Sequence, residues 1–174
     1  MMASSVRFLV WIAAVMASLS AGAAGKDLGT FKAWRAHAFA ESAARVCSMW
    51  SQPSSAVGNY TRRGEIFAFV THRPKDKTRN KVSFEMGYDF KPSTLLQVKI
   101  GKQSFELVTS GSTAWSEQAK TSVSLVKAMK AGQSMVVVGV SKRGTKTTDT
   151  YSLVGFTAAH RAINRACKRP GWSG

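Results

Sequence analysis

Acidic residues are what this sequence most lacks. Nine Asp and Glu stand against 25 Lys and Arg in 174 residues, a formal charge of +16. That excess does not specify a fold, but it predicts attraction to polyanions: acidic glycans, lipopolysaccharide, anionic membrane surfaces or nucleic acid. Nucleic acid is not expected as the partner, because no zinc finger, basic-zipper heptad or aromatic RNA-binding motif is present. Cysteine is nearly absent too, with only Cys47 and Cys167. Neither lies in a Cys-x-x-Cys pair, which leaves redox catalysis without support. The three histidines, His37, His72 and His160, are scattered without the short spacings of zinc ligands, so no metal site is expected. No cofactor is expected either: "GKQS" near Gly101 lacks the upstream glycine and the following helix of a phosphate-binding loop.

Long apolar runs are missing except at the N-terminus. There Arg7 precedes an uncharged apolar run from Phe8 to about Leu19, and small residues follow, with "AGA" at the positions signal peptidase reads. That is the three-part pattern of a secretory signal, residues 1–24, with cleavage after Ala23 or Ala24. Its strongly apolar centre is too short to span a bilayer, which needs roughly 20 apolar residues. The mature chain, residues 25–174, is expected to be one exported domain with no transmembrane segment, periplasmic or secreted to the cell surface. It keeps 24 cations and all nine acids, a charge of +15. Two cysteines in an exported protein usually pair. A Cys47–Cys167 bridge would join the two ends of the domain across 120 positions.

What is present reads mainly as strands. In "KVSFEMGYDF", Val82, Phe84, Met86, Tyr88 and Phe90 share one parity and Ser83, Glu85 and Asp89 the other, which predicts a half-buried strand. "EIFAFV" is apolar on both parities and is expected to be covered on both sides. Hairpins are expected to turn near Gly101-Lys102 and near Arg143-Gly144. "TFKAWRAHAF" and "ARVCSMWS" supply two earlier strands, while "GKDLG" and "RPGWSG" read as loose termini. Two segments have helical spacing. "SEQAKTSVSLVKAMKAG" offers a stripe of Ala119, Val123, Val126 and Met129, stopped by Gly132. "TAAHRAINRACKR" offers Phe156, Ala159, Ile163 and Ala166, with Thr157 as N-cap. The expected fold is therefore mainly β: a single antiparallel β-sandwich, or a flattened barrel, with two short helices, the second at the C-terminus.

No catalytic residues are assigned. Asp149, Ser152 and His160 lie within twelve positions of one another, but Asp149 and Ser152 fall on opposite strand parities, and Ser152 has no nucleophile elbow. The local features that point to binding are basic. "RPKDKTRNK" carries Arg73, Lys75, Lys77, Arg79 and Lys81 against the single acid Asp76; if extended, it would set all five cations along one edge. Arg62 and Arg63 lie just before the neighbouring strand, and Lys142, Arg143 and Lys146 occupy the later hairpin turn. Trp34, Trp50 and Trp115 could line a binding surface, although core aromatics are commoner. "NYT" at Asn59 matches a glycosylation acceptor.

Three segments, "GKQSFELVTSGSTAW", "LVKAMKAG" and especially "GTKTTDTYSLVGFTAA", resemble the invasion-associated locus B family of exported bacterial proteins. The similarity runs from about Leu28 to Lys168, and "DTYSLVGFTAA" is its most specific part. The resemblance implies a signal peptide, a compact mostly-β domain, a periplasmic or surface location, and relatives linked to invasion of host cells. It implies no catalytic residues. It also implies, for many members, a second cysteine pair ending in a Gly-Cys step; here that step is Gly111-Ser112, and the pair is missing. Together these features favour a non-enzymatic binding protein whose partner is an acidic glycan, lipopolysaccharide, or an envelope or host protein. An envelope hydrolase with a hydroxyl nucleophile and a purely structural envelope component are the alternatives.

Overall fold

The structure, a computed structural model, describes residues 25–168. The expected signal segment and the C-terminal "RPGWSG" lie outside the described residues. Eleven strands form: β1 (Lys26–Phe31), β2 (Trp34–Glu41), β3 (Ala44–Ser51), β4 (Ser55–Gly58), β5 (Phe67–Arg73), β6 (Thr78–Glu85), β7 (Leu96–Ile100), β8 (Gln103–Ser110), β9 (Thr113–Trp115), β10 (Ser134–Val140) and β11 (Lys146–Ser152). Two helices, α1 (Ala119–Ala131) and α2 (Phe156–Ala166), complete the described residues. All strand pairs are antiparallel, in the order β1-β2-β3-β5-β6-β9-β8-β7-β10-β11-β4. The mainly-β fold expected from the sequence is what forms, as one open sheet with β1 and β4 as its edges; barrel closure does not occur.

Strand β8 is the corner. Its first half, Gln103–Leu107, pairs with β7, and its second half, Val108–Ser110, pairs with β9. One strand thus belongs to both halves of the sheet, as at the corners of folded sheets. The halves meet through their apolar parities: Phe84 of β6 lies 6.0 Å from Tyr151 of β11, ring to ring. Both hairpins turn where expected, and Leu96, Val98, Ile100 and Leu107 point into the core.

Four local expectations need correction. "GKDLG" is not loose: Lys26–Phe31 pairs along β2, with Asp27 Oδ1 accepting the Gly29 N–H at 2.8 Å. In β5 only Ala68, Val70 and His72 are buried; Phe67 and Phe69 lie half-buried on the outer face, against Trp50 and each other. Helix α1 is rotated from the expected stripe. It buries Ser122, Leu125, Val126, Ala128 and Met129, and leaves Val123 57% exposed. The reason is polar: Ser122 Oγ lies 2.6 Å from Ser116 Oγ in the core, so a serine takes an inward position. Helix α2 begins two residues earlier than expected, with Gly155, not Thr157, at its N-cap. Gly155 has φ 92°, and a Cβ there would come within 1.8 Å of the Phe31 carbonyl oxygen, so only glycine fits.

Helix α2 packs against β1, β2, β3 and β5. Phe156 meets buried Trp34 edge-on at 5.0 Å, and Trp34 Nε1–H donates to the Ser152 carbonyl at 3.0 Å. The Cys47–Cys167 disulfide forms, with Cα atoms 5.9 Å apart, and pins the end of α2 to β3.

Candidate functional site

The long-range step of the chain that builds the site is β4. After β3, Ser55–Gly58 crosses to the far edge of the sheet and pairs with β11, Gly58 opposite Thr147. The chain then returns to β5 through residues 59–64, which run beside the β10–β11 turn. The segment after β6 arrives at the same place. Phe90 forms a bridge with Ser141, and Lys142 N–H donates to the Asp89 carbonyl at 2.7 Å. Three stretches far apart in sequence, 59–64, 87–89 and 141–147, thereby enclose one cleft of about 1090 Å³.

The cleft floor is held rigidly. Arg63 donates through Nη1 and Nη2 to both carboxylate oxygens of Asp149, at 2.6 and 2.7 Å, and through Nε to the Met86 carbonyl at 2.7 Å. The Arg63 side chain is 4% exposed and that of Asp149 is fully buried. Burial alone would lower the Arg63 pKa; the hydrogen bonds and charge of Asp149 outweigh it and raise it. The guanidinium also lies over Tyr88 and Tyr60, 4.9 and 5.6 Å from their centroids. Tyr88 Oη is 2.7 Å from Thr147 Oγ1, and Tyr60 donates to the Ala56 carbonyl at 3.1 Å. Gly64 N–H donates to the Gly87 carbonyl at 2.9 Å. Gly87 has φ 67°, and a Cβ on it would fall 2.4 Å from the Gly64 oxygen, so the two segments could not approach with any other residue there.

The rim carries an excess of positive charge. Arg62, Lys142 and Arg143 line the cleft and are exposed; Asp89 is the acid exposed among the lining residues. Lys146 follows at the start of β11, also exposed. Thus Arg62, Lys142 and Arg143 are brought together, with Lys146 next in line. Arg63 belongs to the same place but is a buried, paired support for the loop.

The other basic segment is dispersed. Arg73 sits on β5 and pairs with Glu41, and Lys75 lies beside Asp76 and Glu41 around a smaller depression. Lys77 and Asn80 have φ 54° and 58°, one in the turn and one in a bulge, so strict alternation fails and the five cations do not share an edge. Arg79 Nη2 reaches Asn164 Oδ1 at 3.4 Å, and Lys81 lies over Trp115 at 5.7 Å. Of the tryptophans weighed as a binding surface, Trp34 is core, whereas Trp50 and Trp115 are half-buried on the outer sheet face.

Asp149, Ser152 and His160 are engaged in three separate sets of hydrogen bonds. Asp149 holds Arg63, Ser152 Oγ accepts the Val154 N–H at 3.3 Å, and His160 Nε2 meets Asn80 Oδ1 at 2.8 Å. The strongest polar cluster that sequence reading missed joins His72 and Asn80 of the sheet to His160 and Asn164 of α2, with both histidines buried and both asparagines half-buried. A signal for it existed: His72 shares its parity with Ala68 and Val70, and His160 and Asn164 are one helical turn apart.

A family model described as invasion associated locus B (IalB) protein matches residues 34–164. The crystal structure of invasion associated protein B from Bartonella henselae matches with a TM-score of 0.56 at 15% identity, over 79% of this chain and 95% of that one. At that identity the likeness is one of fold. No curated protein matches this chain.

Proposed function

We propose that this chain, which belongs to the invasion associated locus B family, is an exported bacterial envelope protein that works by binding an anionic partner in the cleft of Arg62, Lys142 and Arg143, and not by catalysis. The observation that carries the reading is convergence: cations from separate loops meet on one rim, above a floor that the Arg63–Asp149 pair holds in place. A prearranged rim avoids much of the ordering cost that flexible cations incur on binding. The partner chemistry is that of an acidic glycan, the phosphorylated saccharide of lipopolysaccharide, or an acidic protein surface.

Export rests on the leader of residues 1–24, and the Cys47–Cys167 bridge suits an oxidising compartment. No helix among the described residues is long and apolar enough to cross a membrane. The Bartonella henselae protein is described as invasion associated; for this chain, adhesion to an anionic surface during invasion is the corresponding role. Both ring nitrogens of His72 and of His160 are engaged by amides, which leaves neither placed to activate a hydroxyl nucleophile.

Retention of the mature protein on immobilised heparin and on lipopolysaccharide tests the reading. Retention that falls steeply between low and physiological salt is expected. Passage through both matrices at low salt would contradict it.

A further inference from the structure

Four residues at α2, His72, Asn80, His160 and Asn164, form a closed ring through their side chains and the Asn80 backbone. The Asn80 backbone N–H donates to His72 Nδ1 at 3.0 Å, which places the His72 proton on Nε2. His72 Nε2–H then donates to Asn164 Oδ1 at 2.9 Å. Asn164 Nδ2–H donates to His160 Nδ1 at 2.9 Å, and His160 Nε2–H donates to Asn80 Oδ1 at 2.8 Å. Every bond runs in the same sense, and each ring must be neutral for the circle to close. The backbone is shaped for it: on β6, Arg79 and Asn80 together oppose His72, and Asn80 takes φ 58° in that bulge.

We propose that this ring is an acid-sensitive latch for α2, which opens when either histidine is protonated. An imidazolium has two donors and no acceptor, so a proton on His72 Nδ1 would face the Asn80 N–H, and one on His160 Nδ1 would face the Asn164 amide. Donor would meet donor, and the circle breaks.

Burial and the neighbouring cations oppose the new charge, while the Asn164 and Thr71 hydrogen bonds of His72 favour it. The two rings lie 5.6 Å apart, so each repels a proton on the other. Arg79 of β6 and Lys130 of α1 act on both rings. From β3, the Cys47 disulfide stands opposite His72, and Arg45 turns to the Ala166 carbonyl at the end of α2. Arg73, next to His72, is occupied by Glu41. Burial, first, and then these cations hold His160 at about 3; burial and the Arg79 and Lys130 charges hold His72 at about 4 against the pull of its Asn164 hydrogen bond. Because both values lie below the unfolded value of about 6.5, the latch is fully closed above that pH and loses stability as the pH falls towards about 4.

Opening is bounded at both ends. Gly155 ties α2 to the end of β11, and the Cys47–Cys167 bridge keeps its other end on the sheet. The helix would lift without leaving, exposing Phe156, Ala159 and Ile163 and uncovering Trp34.

The test uses the mature, oxidised protein. Histidine ring NMR is recorded against pH, together with hydrogen exchange of residues 157–166 and of β10–β11, for wild type and for H72Q/H160Q. Expected are Nε2–H tautomers for both rings at pH 7, ring charging only below about pH 5, and loss of α2 protection in step with it. Protection of β10–β11 should persist through that step. The double variant, whose glutamines cannot charge, should keep α2 protected to a pH at least about one unit lower. Rings that charge near their ordinary value of about 6.5 with α2 still protected would overturn the latch. So would loss of α2 and β10–β11 protection together. If the variant fails to fold, the wild-type tautomers and the order of events decide the matter alone.

Discussion

The two ends of the sheet handle buried polarity in opposite ways. Under α2, the protein keeps ionisable groups neutral: two histidines are closed into a ring of amide hydrogen bonds, with Arg79 and Lys130 acting on both. At the cleft, it keeps them charged: Arg63 and Asp149 are buried as an ion pair with two parallel hydrogen bonds. The first solution needs no counter-charge but is vulnerable to a proton. The second depends on both partners being present, and it fixes a loop in which the preceding residue, Arg62, is the exposed cation. A chain of +16 charge thus spends one of its nine acids on positioning, and leaves the cleft rim cationic.

Breaking each end separates the two solutions. The largest effect is expected at the α2 end, from removing the staple. A bridge that closes 120 residues constrains the unfolded chain by about 4–5 kcal/mol, so Cys47→Ala/Cys167→Ala should lower stability by up to that amount in urea unfolding. Little change would mean that the histidine ring and the apolar face of α2 hold the helix unaided. Next comes Asp149→Ala, which strands a buried guanidinium; a loss of about 3–5 kcal/mol is expected, together with weaker anion binding as the 59–64 loop loosens. Replacing both partners, Arg63→Met/Asp149→Leu, should recover much of the stability and not the binding. Equal losses in single and double variants would deny the pair its positioning role. The smallest effect is at Tyr151, whose hydroxyl is buried with no hydrogen-bond partner among the described residues. Tyr151→Phe removes that unpaired group and should be neutral or stabilising by about 1 kcal/mol in the same unfolding assay.

The fold was legible wherever one parity was apolar and the other polar. The β6 segment, both hairpins and the buried strands follow from alternation, because the sheet has one dry face for most of its strands. Strand β1 escaped because a short polar edge strand carries no parity signal. The α1 stripe was misphased because Ser122 is buried by a hydrogen bond, and hydropathy cannot rank a serine that brings its own partner. The cleft was half legible. Its cations stood out as clusters, but Arg62 and Lys142 lie 80 positions apart, and only the crossing of β4 to β11 brings them together. Arg63 read as one more exposed cation for the same reason: its partner, Asp149, is 86 positions away. Conversely, the five cations from Arg73 to Lys81 looked like a strip because alternation was assumed through a turn and a bulge that local sequence did not announce.

Placement, and not total charge, is what the proposed function depends on. Two variants that remove the same number of cations therefore test it directly: Arg62→Ser/Lys142→Ser in the cleft, and Lys75→Ser/Lys77→Ser in the distant turn. Elution from heparin is compared for both at matched salt, with unfolding curves to show that each is intact. The cleft pair is expected to elute at markedly lower salt than wild type, and the turn pair close to it. Equal displacement of the two variants would show that the column reads net charge alone, and would contradict a built anion site in the cleft.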